Sequence, residues 1–241
     1  MLKFKQRVVL AMLRKHVLVL SVLPLVLNVL ITPLVITSAV SLPEFLERPT
    51  YYIYTFGFFL WSVYHILLAS LALRFFKTEK ESVRGVIGPV RDKLWLTVLL
   101  TAALIGLSIL IFQLIEPQVI DLVYGSGAWR QMLKEFKGVS LVVVIYGLAA
   151  TSLTAGICEE LVWRGYLQTR FGRLLRGRIR VAISLQALLF GFWHSTSVHT
   201  LFTAAFGLVY GYVYAKTKRL LPLMVSHWLG DAIGFSTMYF I

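Results

Sequence analysis

Twenty consecutive residues of this chain, from Val139 to Cys158, carry no charged side chain. At 1.5 Å per residue such a run forms a helix about 30 Å long, which matches the hydrocarbon core of a bilayer. Other apolar runs recur along the 241 residues, and 58% of all residues are hydrophobic, more than in soluble domains. The sequence therefore predicts an all-α fold: a polytopic membrane helix bundle of about seven transmembrane helices, forming one integral membrane domain.

A basic amphipathic lead-in over residues 1–16 is expected to lie on an anionic lipid surface before the first span. The seven spans are predicted at residues 17–42, 51–73, 94–115, 139 through the glutamates at 159 and 160, 181–195, 201–215 and 220–241, with a short surface helix within 116–138. Pro24 and Pro33 are predicted to kink the first span. Residues 1–138 thus form an N-terminal part with three spans, and residues 139–241 form a core with four.

Basic residues are distributed unevenly between the two sides of the predicted bundle. With a cytosolic N-terminus, 20 of the 24 Lys and Arg residues fall in cytosolic segments, as the positive-inside rule requires. We therefore predict a multi-pass protein of the cell membrane, with its N-terminus in the cytosol and its C-terminus outside. The net charge of +13 is then explained by topology and by contact with anionic lipids, and no nucleic-acid partner is predicted.

Two adjacent carboxylates, Glu159 and Glu160, follow the uncharged run. Ionisable groups at such a position are costly in a membrane and mark a functional site by default. If the helix continues, Glu160 and Arg164 lie one turn apart and can pair, whereas Glu159 lies about 100° round the helix without a local partner. A carboxylate of that kind suits a general base. The alternative is that both glutamates emerge into the headgroup region as a solvated helix end.

Further ionisable residues lie in the last predicted spans, namely His194, and His227 with Asp231 one turn after it. An unpaired charge in hydrocarbon is so unfavourable that a buried His–Asp pair indicates a site. Counted at helical rise from the basic ends, His194 lies roughly 20 Å deep, His227 about 12 Å, Asp231 about 18 Å and the two glutamates roughly 15 Å. All of them fall in one band, which predicts a single polar site open toward the cytosol.

Two further groups of residues bear on this site. Small residues that allow close helix approach are Ala149, Ala150, Ser152, Ala155, Gly156, Gly207, Gly211, Gly230 and Gly234. Three other histidines have no comparable partner in the sequence. We predict that His65 is a core or interface residue, that His199 is exposed and that His16 belongs to the basic surface helix.

Three motifs occur in order on successive predicted helices: Glu159-Glu160-x-x-x-Arg164, Phe190-x-x-x-His194 and His227-x-x-x-Asp231. Together they resemble the signature motifs of the CPBP intramembrane proteases, the group of CAAX prenyl proteases and bacteriocin-processing or immunity-type Abi proteins. The resemblance covers roughly residues 139–241, whereas the first three spans match only in being membrane helices.

The resemblance implies an intramembrane endopeptidase whose site faces the cytosol from within the bilayer. Glu159 stands at the family's first glutamate and would activate water with help from His194. Glu160 and Arg164 would form a supporting ion pair.

The resemblance also assigns the last motif, in which His227 and Asp231 would polarise the scissile carbonyl and hold the oxyanion. Two residues depart from the family pattern: Trp163 replaces the more usual phenylalanine, and Asp231 stands where asparagine is common. An ionised aspartate beside a developing oxyanion would oppose catalysis. We therefore expect Asp231 to be neutral or to share a proton with a histidine.

The chemistry of the residues themselves agrees with peptide hydrolysis, which needs a base for water and donors for the oxyanion. No serine or cysteine is placed as a nucleophile, since Cys158 points about 100° away from Glu159 on a helix. Glu159, His194, His227 and Asp231 are also a zinc-type ligand set. Because no His-x-x-x-His pair occurs on one helix, we expect a metal-free mechanism without a cofactor and keep zinc as the alternative.

Two other functions compete with the enzyme. Such a protein could act without cleavage as a membrane scaffold or regulator, and a buried Glu/His/Asp cluster also suits a proton-coupled transporter. Neither a repeat between the chain halves nor paired broken helices support the transporter. The complete set of motifs favours an endopeptidase acting on a membrane-bound or lipidated peptide or protein. Prenylated CAAX proteins, leader peptides and membrane-protein tails remain open as substrates, and no oligomeric state is predicted.

Overall fold

The computed structural model of the protein describes residues 2–89 and 93–241, with side chains from residue 9 onward. Every regular element within these residues is a helix, which confirms the predicted all-α class. The side chains of Lys3, Lys5 and Arg7, which belong to the predicted lead-in, lie outside the described part.

Ten continuous helices form the described chain, some of them with wider π-helical turns. They are α1 (2–39), α2 (Leu42–Glu47), α3 (Pro49–Thr78), α4 (Val83–Ile87), α5 (Leu94–Tyr124), α6 (Ala128–Lys137), α7 (Leu141–Leu174), α8 (Ile179–His194), α9 (His199–Thr217) and α10 (Leu221–Phe240). The π-helical turns lie at Val26–Ile31 in α1, Leu110–Ile115 in α5, and Gly147–Thr151, Ala155–Glu159 and Leu161–Gln168 in α7.

Four of the described helices are long and apolar enough to cross a membrane. They contain Val9–Ala39, Pro49–Thr78, Leu94–Tyr124 and Leu141–Leu174, and α8 is a shorter apolar helix. The predicted fifth, sixth and seventh spans correspond to α8, α9 and α10. The protein is thus a multi-pass membrane protein by length and composition, but the count of about seven spans is not confirmed.

The predicted lead-in is not a separate surface helix, because α1 runs without interruption from residue 2 to residue 39. Leu13, His16, Val17 and Leu20 are buried, so one face of α1 packs into the protein on both sides of the expected boundary. The prediction of a boundary at residue 16 followed the charge pattern alone. No glycine or proline ends the helix there.

The π-helical turns of α1 and α5 lie just before Pro33 and Pro117. Proline lacks an N–H group, and its ring crowds the carbonyl group four residues earlier. A wider turn at this point accommodates the ring while the helix continues. The predicted kink at Pro33 therefore takes the form of a widened turn, whereas Pro24 lies within the regular stretch Leu2–Leu25.

Helices α7 and α10 approach closely at Gly156. A Cβ atom there would lie 2.6 Å from both the Met224 carbonyl oxygen and the Trp228 backbone nitrogen. Similar close contacts occur at Gly207 and Gly211 between α9 and α8. The predicted close approach of small residues is confirmed at these three glycines. At Gly230 and Gly234 the nearest atoms, from α5, would lie 3.4 Å from an added Cβ.

The basic loops meet at one end of the bundle, called the basic end, which comprises residues 79–89, 170–178 and 216–220. The backbone N–H of Leu220 donates to the carbonyl of Ile87 at 3.0 Å, and Arg173 Nη1 lies 2.6 Å from Glu81 Oε1.

Glu79 joins three helices at the basic end. His16 Nδ1 donates to Glu79 Oε1 at 2.9 Å, Tyr166 donates to the same oxygen, and Arg170 donates twice to Oε2 at 2.8 and 2.9 Å. Burial would raise the pKa of Glu79, but the hydrogen bonds from Tyr166, His16 and Arg170 outweigh it, so the pKa is lowered. The prediction that His16 lies on a surface helix is wrong, because its ring is buried and stacks on Phe75 at 3.9 Å.

Candidate active site

Glu159 lies in a π-helical turn of α7 and is buried among side chains from other helices. Its Oε1 lies 2.7 Å from His65 Nε2 in α3 and accepts a hydrogen bond from Trp193 Nε1 in α8 at 3.0 Å. Glu159 was expected to have no local partner on its own helix, and the partners found here come from α3 and α8. His65 is buried between α3 and α7, which confirms that it is a core or interface residue, but the expectation that it has no comparable partner is wrong.

The second oxygen of Glu159, Oε2, accepts no hydrogen bond from the described residues. It lies 3.6 Å from His194 Nε2 and 3.9 Å from His227 Nε2. Both distances exceed that of a direct hydrogen bond and suit a small molecule that bridges the groups. The two oxygens of one carboxylate therefore have different surroundings: Oε1 is held by hydrogen bonds, whereas the buried Oε2 has none from the described residues and faces two histidine nitrogens.

His194 ends α8, and its ring is oriented by its own helix. Nδ1 lies 2.8 Å from the carbonyl oxygen of Phe190 and donates to it, which leaves Nε2 facing Glu159. Asn28 of α1 donates to the carbonyls of Trp193 and His194, the latter at 3.3 Å. The last carbonyls of a helix have no partner within it, so Asn28 caps α8 where the histidine sits.

Glu160 is fully buried and joins two of the predicted residues. Its Oε1 lies 2.7 Å from Arg164 Nη1, as the one-turn spacing predicts, and 2.8 Å from His227 Nδ1. The guanidinium of Arg164 also stacks over the ring of Phe190 at 4.4 Å. A cation over an aromatic face retains part of the stabilisation that it loses on leaving water. Glu160 therefore orients His227 as well as pairing with Arg164.

Asp231 completes the group of predicted residues. Its Oδ2 lies 3.7 Å from His227 Nε2, the nitrogen that also faces Glu159. The structure thus brings all six predicted residues together, from α7, α8 and α10.

Exposure increases across the site. The side chains of Glu160 and Arg164 are fully buried, whereas those of His194 and Asp231 are 23% and 32% exposed. His194 lies at the end of α8 opposite the basic end, and Asp231 lies ten residues into α10. His194 and Asp231 therefore form the accessible edge of the site.

No group of three or more His, Cys, Asp or Glu side chains within residues 9–89 and 93–241 is arranged to hold a metal ion. The alternative zinc ligands Glu159, His194, His227 and Asp231 are near one another without forming such a set. Cys158 is free and half-buried.

Sequence reasoning missed two residues that contact Glu159, namely His65 and Trp193. His65 is itself an ionisable residue inside a predicted span, a signal that applies to any intramembrane histidine.

The prediction that His199 is exposed is wrong in part. Its ring is only partly exposed, and Nδ1 lies 2.7 Å from the buried carboxylate of Glu116.

Comparison with protein families identified one match. Residues 139–233 match the family model described as Type II CAAX prenyl endopeptidase Rce1-like, which confirms the predicted resemblance. The matched segment contains all six predicted residues, whereas His65 and Asn28 lie before it. Searches of the curated proteins and of the solved structures gave no match.

Proposed function

Since residues 139–233 match the family model described as Type II CAAX prenyl endopeptidase Rce1-like, we propose that this protein is an intramembrane endopeptidase in which Glu159 activates water. The observation that carries the proposal is the asymmetry of Glu159. Oε1 is fixed by two donors, and Oε2 is left toward two histidine nitrogens. A base needs one oxygen free to take a proton and a fixed orientation toward the substrate.

The proposed reaction begins with water between Glu159 Oε2 and His194 Nε2. Glu159 takes one proton as the water oxygen bonds to the scissile carbonyl carbon, which gives a tetrahedral oxyanion. The oxyanion then collapses, the C–N bond breaks, and the leaving nitrogen takes the proton from Glu159. Base and acid are the same group, so the carboxylate is regenerated in each turnover.

His227 is placed to stabilise the oxyanion. Its Nδ1 lies against Glu160, and its Nε2 points between Glu159 and Asp231. A ring that donates from Nε2 would hold the oxyanion, and the carboxylate at Nδ1 supports that protonated form. Asp231 would share a proton with His227 and so avoid placing a second negative charge beside the oxyanion.

The proposed substrate is a membrane-associated, prenylated peptide or protein, in keeping with the family's description. It would reach Glu159 past His194 and Asp231, the exposed members of the site. The cytosol-facing opening expected from helix depth stays a prediction, and so does the cytosolic N-terminus. We also propose that the basic end contacts anionic headgroups.

The mechanism needs no metal, and none of its steps depends on one. Zinc remains the alternative, in which Glu159, His194, His227 and Asp231 would bind the ion. Inhibition by a chelator that is reversed by zinc would support that alternative and contradict the metal-free mechanism.

The test in cells compares peptides released from membranes by the wild-type protein and by Glu159→Gln at equal protein levels. We expect a defined set of cleaved fragments that disappears with the variant. Fragment sets that do not differ between the two would contradict the proposal and favour a scaffold without proteolytic activity.

A further inference from the structure

We propose that His65, in α3, is a positioning residue that holds Glu159 in its reactive orientation. This inference rests on the proposed function of Glu159. The His65 ring is 4% exposed, and its Nε2 lies 2.7 Å from Glu159 Oε1, the shortest contact of that carboxylate to any histidine. His65 lies 74 residues before the segment that matches the family model.

The orientation of the His65 ring is fixed from both sides by α7. Thr154 Oγ1 lies 3.1 Å from Nδ1, and Glu159 lies at Nε2. With the ring proton on Nε2, that nitrogen donates to the carboxylate, and Nδ1 accepts once the Thr154 hydroxyl turns its hydrogen from the Thr151 carbonyl, 3.0 Å away, to the ring. Every polar atom of the buried ring then has a partner, as buried polar groups require.

The hydrogen bond between His65 and Glu159 also determines where the second carboxylate oxygen lies. His65 and Trp193 both donate to Oε1, so rotation of the carboxylate would break two hydrogen bonds at once. Oε2 is thereby kept toward His194 and His227. Without His65, the carboxylate could turn and bond His194 directly, and the oxygen that takes the proton would no longer be free.

A second residue of the N-terminal helices, Asn28 in α1, also positions part of the site. Asn28 caps the end of α8 that carries His194, and Trp61 Nε1 donates to Asn28 Oδ1 at 3.0 Å. Helices α1 and α3 therefore position both groups that would contact the proposed water: Asn28 of α1 positions His194, and His65 of α3 positions Glu159. The catalytic geometry extends beyond residues 139–233.

The kinetic test uses the full-length protein in nanodiscs and a farnesylated, internally quenched peptide that ends in a CAAX sequence. His65→Leu should lower kcat roughly 10- to 100-fold with KM within about twofold, because it misplaces the base without removing a substrate contact. His65→Gln, whose amide nitrogen can reach the position of Nε2, should recover most of kcat. If His65 served only to stabilise the fold, His65→Gln would not restore kcat alone.

Ser62→Ala is the matched control. Ser62 lies one turn before His65 on α3, is buried, and makes a 3.0 Å hydrogen bond to Thr151 of α7. It should lower the melting temperature and leave kcat unchanged. If His65→Leu and Ser62→Ala had the same kcat, the inference would be overturned.

A second measurement does not depend on any substrate. In ¹⁵N-histidine-labelled protein, the His65 signals should report a proton on Nε2. Thr154→Val and Glu159→Gln should both shift these signals, because each removes a partner of the ring. Unchanged His65 signals in both variants would overturn the inference even if the peptide is not cleaved. Cleavage that is lost in Glu159→Gln but kept in His65→Leu would overturn it while leaving the proposed function intact.

Discussion

Glu159 and Glu160 are adjacent in sequence, yet the structure gives them different roles. Glu160 is fully buried against Arg164 and His227, whereas Glu159 turns an oxygen without a hydrogen bond from the described residues toward the partly exposed His194. The sequence predicted the pairing of Glu160 with Arg164, because a one-turn spacing on one helix determines it. It could not predict the partners of Glu159, since they lie on other helices, 94 residues before it and 34 residues after it.

Glu160→Gln should therefore lower stability as well as activity. Removing one partner of a buried ion pair leaves Arg164 without its counter-charge and costs about 3–5 kcal/mol. We expect a clear fall in the melting temperature of the detergent-solubilised protein, with Glu159→Gln as the comparison that melts close to the wild type. A Glu160→Gln variant that melts like the wild type would show that the pair does not contribute to stability.

Asp231 provides the second prediction at this scale. If activity needs a shared proton between Asp231 and His227, it falls as pH rises and that proton is lost. An amide has no such proton to lose, so Asp231→Asn should keep substantial activity and extend it to higher pH, while Asp231→Ala should lose it. The measurement is a pH–rate profile of all three proteins, with and without a chelator. An inactive Asp231→Asn, together with chelator inhibition reversed by zinc, would make this a metalloprotease.

At the scale of helices, the close contact of α7 and α10 sets the distance between Glu160 and His227. Small residues in the sequence predicted close helix approach around the site, and Gly156 provides it between these two helices. The sequence did not predict the π-helical turns of α7, because no proline lies within this helix to indicate them, as Pro33 and Pro117 do in α1 and α5. Wider turns of this kind are common at functional sites.

Gly156→Ala should separate these two helices. The added Cβ would meet backbone atoms 2.6 Å away, which cannot rotate out of the way. We expect lower stability and a loss of activity, although alanine in a helix usually stabilises by roughly 0.5–1 kcal/mol relative to glycine. Gly106→Ala in α5 is the control, since nothing lies within 4 Å of its added Cβ. Equal melting temperatures for the two variants would contradict the close contact.

At the scale of the whole molecule, composition predicted an all-helical membrane protein, and the structure is all-helical in its described part. The number of spans was harder to predict, because four helices exceed the membrane's thickness and the later ones are shorter or interrupted by polar groups. The orientation, which follows from the charge distribution, stays a prediction.

Cysteine labelling checks this orientation in a Cys158→Ala background. Arg84 lies at the basic end and is exposed, and Ser197 lies in the loop between α8 and α9. A membrane-impermeant thiol reagent added outside cells should label Ser197→Cys and leave Arg84→Cys unlabelled until the membrane is opened. The reverse pattern would invert the predicted topology.

The central claim, that Glu159 is the base of a peptidase, is tested most directly by one rate measurement. Wild-type protein and Glu159→Gln, purified in nanodiscs and matched in melting temperature, are compared for turnover of the farnesylated CAAX peptide. Because glutamine keeps the shape of the side chain but cannot take the proton, we predict a fall in kcat of at least about 100-fold. A Glu159→Gln protein that cleaves the peptide at the wild-type rate would contradict the account.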